Sequence, residues 1–109
     1  MRYNIIAIPS FKKKVKILAK KYPSFKKDFS NLIDELEITP TKGISLGNNC
    51  YKIRLAISSK KKGKSGGARI ITTFVITEKT LYFLTIYDKS QKENITNKEL
   101  KDLLKDIEE

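Results

Sequence analysis

The sequence contains no histidine and a single cysteine, and its 12 acidic residues are outnumbered almost two to one by 23 basic ones. Without histidine there are no imidazole metal ligands, no Ser-His or Cys-His dyad, and no histidine general base. One thiol, Cys50, excludes an internal disulfide and a cysteine-based zinc site, which makes a reducing cytosol the expected compartment. No stretch approaches the roughly 20 consecutive apolar residues that a membrane-spanning helix needs. The N-terminal apolar run, Ile5-Ile6-Ala7-Ile8, is too short for a signal-peptide core and is followed by lysines. The expectation is a soluble, cytoplasmic protein with no membrane partner.

What is present points to one small domain covering residues 1–109. A chain of this length buries roughly 65% of its unfolded surface, enough for one modest core. The 39% apolar content, with five tyrosines and five phenylalanines, argues against disorder. The formal charge of +11 and pI near 9.8 fit a polyanionic partner, because a basic surface steers toward phosphate backbones. Lysine outnumbers arginine 20 to 3, which an AT-rich genome also produces without function.

The charge is unevenly placed. Residues 93–109 hold six acidic and three basic groups, while residues 1–92 carry a net +14. Between Lys12 and Lys27 lie eight lysines and no acid; between Lys52 and Arg69 lie seven basic groups and no acid. A basic body beside an acidic tail fits a phosphate-binding domain, or equally a solvated terminal helix.

Residues 2–8 read as a strand ended by Pro9. Ser10 is placed to cap a helix with Phe11, Val15, Leu18 and Tyr22 on one face. Pro23-Ser24 breaks it and opens a second helix with Phe25, Phe29, Leu32, Ile33 and Leu36 buried, closed by residues 39–43. The period then shortens to two. Tyr51, Ile53, Leu55 and Ile57 alternate with Lys52, Arg54, Ala56 and Ser58, giving a strand with one apolar and one cationic face. After the loop Lys60-Lys61-Lys62-Gly63-Lys64-Ser65-Gly66-Gly67, residues 68–77 read as a central strand and 81–87 as the next. Thr96-Asn97-Lys98-Glu99 is a capping box opening a helix with Leu100, Leu103, Leu104 and Ile107 on one face. The expected order is β-α-α-β-β-β-α, an α+β domain with an N-terminal helical hairpin and a C-terminal helix on a small, mostly antiparallel sheet.

Gly63-Lys64-Ser65 is not a P-loop. That motif needs glycine where Ser58 stands and a helix where a β-branched strand follows. The loop instead reads as a cationic segment whose glycines let backbone approach phosphate, or as a solvated hairpin loop. Lys52 and Arg54, two apart, leave one face of their strand; Arg69 opens the next strand, and Tyr87, Asp88 and Lys89 end the one after. If the three strands are neighbours, these groups gather on a concave surface not covered by the helices. The plain alternative is an ordinary solvent-facing sheet. Cys50 reads as a small strand-edge residue, since nothing is present to activate it. Lys12, Lys13, Lys14, Lys16, Lys20 and Lys21 read as the solvated face of the first helix.

Three segments together resemble the RelE/HigB branch of bacterial toxin–antitoxin toxins: Tyr51-Lys52-Ile53-Arg54-Leu55, Gly63-Lys64-Ser65-Gly66-Gly67-Ala68-Arg69-Ile70-Ile71, and Leu84-Thr85-Ile86-Tyr87-Asp88-Lys89-Ser90 with Lys92-Glu93-Asn94 beyond. The resemblance implies a RelE-like fold and an mRNA endonuclease, usually acting in the ribosomal A site and in contact with 16S rRNA. It needs neither metal nor other cofactor: the ribose 2′-hydroxyl attacks the adjacent phosphorus, leaving a 2′,3′-cyclic phosphate and a 5′-hydroxyl. Such chemistry needs an oriented hydroxyl, cations for the developing charge and a proton for the leaving oxygen.

By the same resemblance, Lys52 and Arg54 hold phosphate and help deprotonate the hydroxyl, Arg69 stabilises transition-state charge, and Tyr87, which orients or deprotonates the hydroxyl and stacks on a base, completes the catalytic set with Lys89. Lys60, Lys61, Lys62, Lys64 and Lys92 are the RNA-binding candidates. HigB-like members often carry histidines at such places, and this chain has none. The resemblance also implies a cognate antitoxin, typically a helix-turn-helix DNA-binding protein, that covers the basic face or displaces or restrains the C-terminal helix. Two rivals stand beside this reading: a ParE-like gyrase poison on the same fold, and an RNA-binding module without catalysis.

Overall fold

Proline at position 9 has no N–H to donate, so it ends the first strand and starts the first helix. The computed structural model describes residues 2–92 and 94–107; Glu93 of the resembling segment lies outside them. Strand β1 (Asn4–Ala7) leads into α1 (Pro9–Lys21), α2 (Phe25–Ile38), β2 (Ile44–Gly47), β3 (Cys50–Leu55), β4 (Ala68–Val75), β5 (Thr80–Asp88) and α3 (Asn97–Lys105). The N-cap of α1 is Ile8 in extended conformation rather than Ser10, with proline in the first turn.

The sheet has the order β1-β5-β4-β3-β2, with β1 parallel to β5 and all other pairs antiparallel. It therefore has one strand more than the expected order. Strand β2 forms a hairpin with β3 across Asn48-Asn49, both at positive φ, the backbone a two-residue type I′ connection requires. Four residues ending in glycine carry little period-two pattern, which is why β2 is not legible in the sequence.

Helices α1 and α2 cover one face. Phe11 stacks on Phe83 with ring centroids 4.8 Å apart, and Phe25, Leu32 and Leu36 pack with Ile53, Ile70 and Leu81. Each such side chain contributes about 1.5–3 kcal/mol of burial free energy. The other face holds a smaller cluster of Cys50, Ile71, Leu84, Tyr87 and Leu100, the last from α3. The α3 capping box forms as expected: Glu99 N–H donates to Thr96 Oγ1, and Thr96 N–H to the Glu99 carboxylate. No helix among the described residues is long and apolar enough to cross a membrane.

Candidate active site

Antiparallel pairing lines up residues across three strands. Arg54 lies opposite Arg69 on β4, and Arg69 opposite Tyr87 on β5. Directly opposed residues point to the same face, so the three side chains form one row on the α3 side of the sheet. The next row holds Lys52, Ile71 and Thr85. Of the residues expected to gather on one face, Lys52, Arg54, Arg69 and Tyr87 share it, but Asp88 alternates to the opposite face, where it meets Tyr22 and Lys60. The shared face is not free of helices, however: α3 roofs part of it, because Leu100 buries against Tyr87 and Leu84. An amphipathic helix pattern does not encode which side of a sheet it will cover.

Arg69 is 4% exposed. Its guanidinium donates to the carbonyls of Lys64 (2.7 Å), Ala68 (3.1 Å) and Ser65 (3.3 Å), so a charged group holds the glycine-lysine loop through its backbone. Burial pushes the Arg69 pKa down, and neighbouring Arg54 adds to this while Tyr87 opposes it. Among the described residues no carboxylate forms an ion pair with Arg69. Three of the five guanidinium donors are used, all on backbone carbonyls. The loop can lie this close because position 67 is glycine. A Cβ there would stand 2.0 Å from the Leu55 carbonyl oxygen.

Tyr87 is 9% exposed, and its hydroxyl has no hydrogen-bond partner among the described residues. Burial raises its pKa, against the pull of Arg69 and Lys92, so the phenol is protonated at neutral pH. Two clefts flank it. One, of about 230 Å³, is lined by Lys14, Thr85, Lys92, Glu99 and Leu103 with Tyr87. The other, of about 280 Å³, is lined by Lys14, Ile17, Asp88 and Lys92 with Tyr87.

The remaining candidates divide. Lys52 Nζ donates to Asn94 Oδ1 (3.1 Å), just ahead of α3. Lys92 pairs with Glu99, whose pKa falls to about 2 chiefly through that bond and the Thr96 backbone N–H. Lys89 is half-buried at the end of β5, and its backbone N–H donates to the Gly67 carbonyl (3.0 Å). Lys61, Lys62 and Lys64 are exposed on the loop. Lys60 differs: its side chain is 8% exposed and its ammonium lies 2.8 Å from the buried Asp88 carboxylate. Asp88 also accepts from Tyr22 and from the Ser90 hydroxyl (2.7 Å) and backbone N–H (3.0 Å), a set that holds its carboxyl far below the usual range despite burial. Lys60 therefore ties the loop to α1 and β5.

Lys14 is exposed, as the sequence reading has it, but it also meets the candidate site. Assigned there to a solvated helix face, it reaches Thr85 Oγ1 at 2.8 Å and lines both clefts. Its spacing offered a signal, three residues after Phe11 and four before Leu18, at the border of the apolar stripe.

A family model described as the RelE toxin of the RelE/RelB toxin–antitoxin system matches residues 10–107. Among solved structures, a double arginine-to-alanine mutant of the E. coli toxin RelE in the free state superposes with a TM-score of 0.65 at 14% identity, covering 98% of this chain and 99% of that one. The isolated E. coli RelE toxin in a P21 crystal form aligns with a TM-score of 0.48 at 13% identity, over 94% and 97% of the two chains. The mutant's likeness supports the fold, and the family model spans the row of Arg54, Arg69 and Tyr87, α1 from Ser10 onward, and all of α2 and α3. The chain belongs to the RelE toxin family of toxin–antitoxin systems.

Proposed function

We propose that this toxin is a metal-independent endoribonuclease that cleaves mRNA on the ribosome, in contact with 16S rRNA, and so stops translation. The observation that carries this reading is the in-register row Arg54–Arg69–Tyr87, two cations and a buried, unpartnered phenol on one face of the sheet. In the reaction the ribose 2′-oxygen bonds to phosphorus as its proton leaves, the P–O5′ bond breaks, and O5′ takes up a proton. The products are a 2′,3′-cyclic phosphate and a 5′-hydroxyl.

Arg54 and Arg69 neutralise the charge that builds on the phosphoryl oxygens; such donors are worth roughly 10²–10³ in rate. Tyr87, kept protonated by burial, donates to a phosphoryl oxygen and is poorly suited to act as the base. Lys52 and Lys89, two residues from Arg54 and Tyr87, supply the amines for proton transfer. Lys61, Lys62 and Lys64 hold RNA backbone from the loop side of the row, with Lys92 lining the clefts beside Tyr87; Lys60 acts through the loop it anchors. The cytosolic partner is an antitoxin of helix-turn-helix type, binding a body of net +14 with an affinity that falls as salt rises.

The test is expression without antitoxin. Arrested growth with message cut at codon boundaries supports the reading. Normal growth, or arrest with intact message and inhibited gyrase supercoiling, contradicts it.

A further inference from the structure

Strand β1 pairs with β5 from Thr80 to Phe83, so among the described residues the outer edge of β5 beyond Phe83 has no strand beside it, and α1 packs against β5. From α1, Lys14 extends past that edge and its ammonium donates to Thr85 Oγ1 at 2.8 Å. Thr85 lies opposite Ile71, which lies opposite Lys52. Lys14 thus delivers a cation to the far end of the row carrying Lys52, beside the row of Arg54, Arg69 and Tyr87. The two clefts that Tyr87 lines share Lys14 and Lys92.

We propose that Lys14 and Lys92 form a second phosphate subsite, flanking Tyr87, for the phosphate next to the scissile one in single-stranded RNA. The inference deepens the nuclease reading and rests on it. The charges favour Lys14 as the stronger member. Its hydrogen-bond partner is a neutral hydroxyl, and among the described residues it forms no ion pair, whereas Lys92 is engaged by Glu99. Glu99 and Asp102 also line the smaller cleft, on its α3 wall. A phosphate entering between Lys14 and Lys92 therefore competes with Glu99 for Lys92 but with no carboxylate for Lys14. The bond to Thr85 Oγ1 fixes where the Lys14 ammonium sits before RNA arrives, which reduces the ordering cost on binding.

The alternative role for Lys14 is a strut between α1 and β5, and it makes a different prediction. The probe is a short single-stranded RNA with a 2′-deoxy sugar at the cleavage position, so that binding is read without cutting, titrated over a range of salt. Lys14→Gln should weaken binding about five- to tenfold at low salt and reduce the slope of log affinity against log salt by about 0.7, one counterion's share on a single strand. Thr85→Val, which removes the strut but keeps the cation, should retain the wild-type slope.

Unchanged affinity and slope in Lys14→Gln, or a Thr85→Val that reproduces its loss of slope, would overturn the subsite while leaving the nuclease reading intact. A wild-type protein that neither binds nor cuts RNA would overturn the nuclease reading first.

Discussion

Arg69 and Tyr87 face each other across β4 and β5, one a buried guanidinium with no carboxylate ion pair among the described residues, the other a buried phenol with no hydrogen-bond partner. Folding alone does not favour such a pair. Orphaned buried donors cost free energy, and a buried cation is ordinarily matched by an acid. The proposed function gives the pair its use, which is to receive a phosphoryl anion from outside.

Tyr87→Phe separates stability from activity. Removing a hydroxyl that makes no hydrogen bond should leave the protein as stable as the wild type or stabler by up to about 1 kcal/mol. Cleavage should fall by roughly 10²-fold. Denaturant titration and cleavage assays on the same preparations check both. A loss of stability would show that the hydroxyl has a structural partner.

Arg69→Lys keeps a positive charge but not the planar fork that reaches three carbonyls. Cleavage should fall by about 10²-fold, and the glycine-lysine loop should become more open to proteolysis between Lys61 and Lys64. Full activity with an unaltered digestion pattern would remove Arg69 from the site.

Gly67→Ala places a methyl group 2.0 Å from the Leu55 carbonyl oxygen, so backbone must shift. The expected cost is about 1–3 kcal/mol in unfolding free energy. Because the displaced segment carries the carbonyls that bind Arg69, cleavage should drop as well, measurable at a temperature where the variant remains folded.

Much of this arrangement was legible in the residues. Period-two alternation placed Lys52 and Arg54 on one face, and the offsets to Arg69 and Tyr87 matched strand ends. The Thr96–Glu99 capping box located α3 because its pattern is local and chemically specific. Three features depended on tertiary placement. Strand β2 is short and meets its partner with a register shift between Ser45 and Gly47. Lys60 looks like its loop neighbours in sequence, yet of the four loop lysines only Lys60 meets Asp88 among the described residues, 28 residues away. Lys14 carries no mark beyond its position at the stripe border, and its partner Thr85 lies 71 residues on.

The Lys60–Asp88 pair gives a pH and mutation prediction. Asp88 has a folded-state pKa below its ordinary 3.8, so the unfolded chain takes up the proton first as pH falls. Its contribution is fully present above that ordinary value and is lost on acidification toward the folded one. Lys60 is shifted upward from 10.5, so its contribution is present below that value and lost as pH rises through the folded pKa. Stability from the pair should therefore be flat across the neutral range. Asp88→Asn should cost about 3–5 kcal/mol there, since it leaves Lys60 buried opposite a neutral group. Thermal unfolding of wild type and variant across pH checks this; equal stability of the two at neutral pH would contradict it.

The most direct measurement of the central claim is the chemistry of the RNA ends left on a translated message. Purified toxin should yield 2′,3′-cyclic phosphate and 5′-hydroxyl ends, and a single 2′-deoxy substitution at the cleavage position should abolish the cut. Ends bearing a 3′-hydroxyl, or undiminished cutting of the 2′-deoxy message, would contradict 2′-hydroxyl attack at the row formed by Arg54, Arg69 and Tyr87.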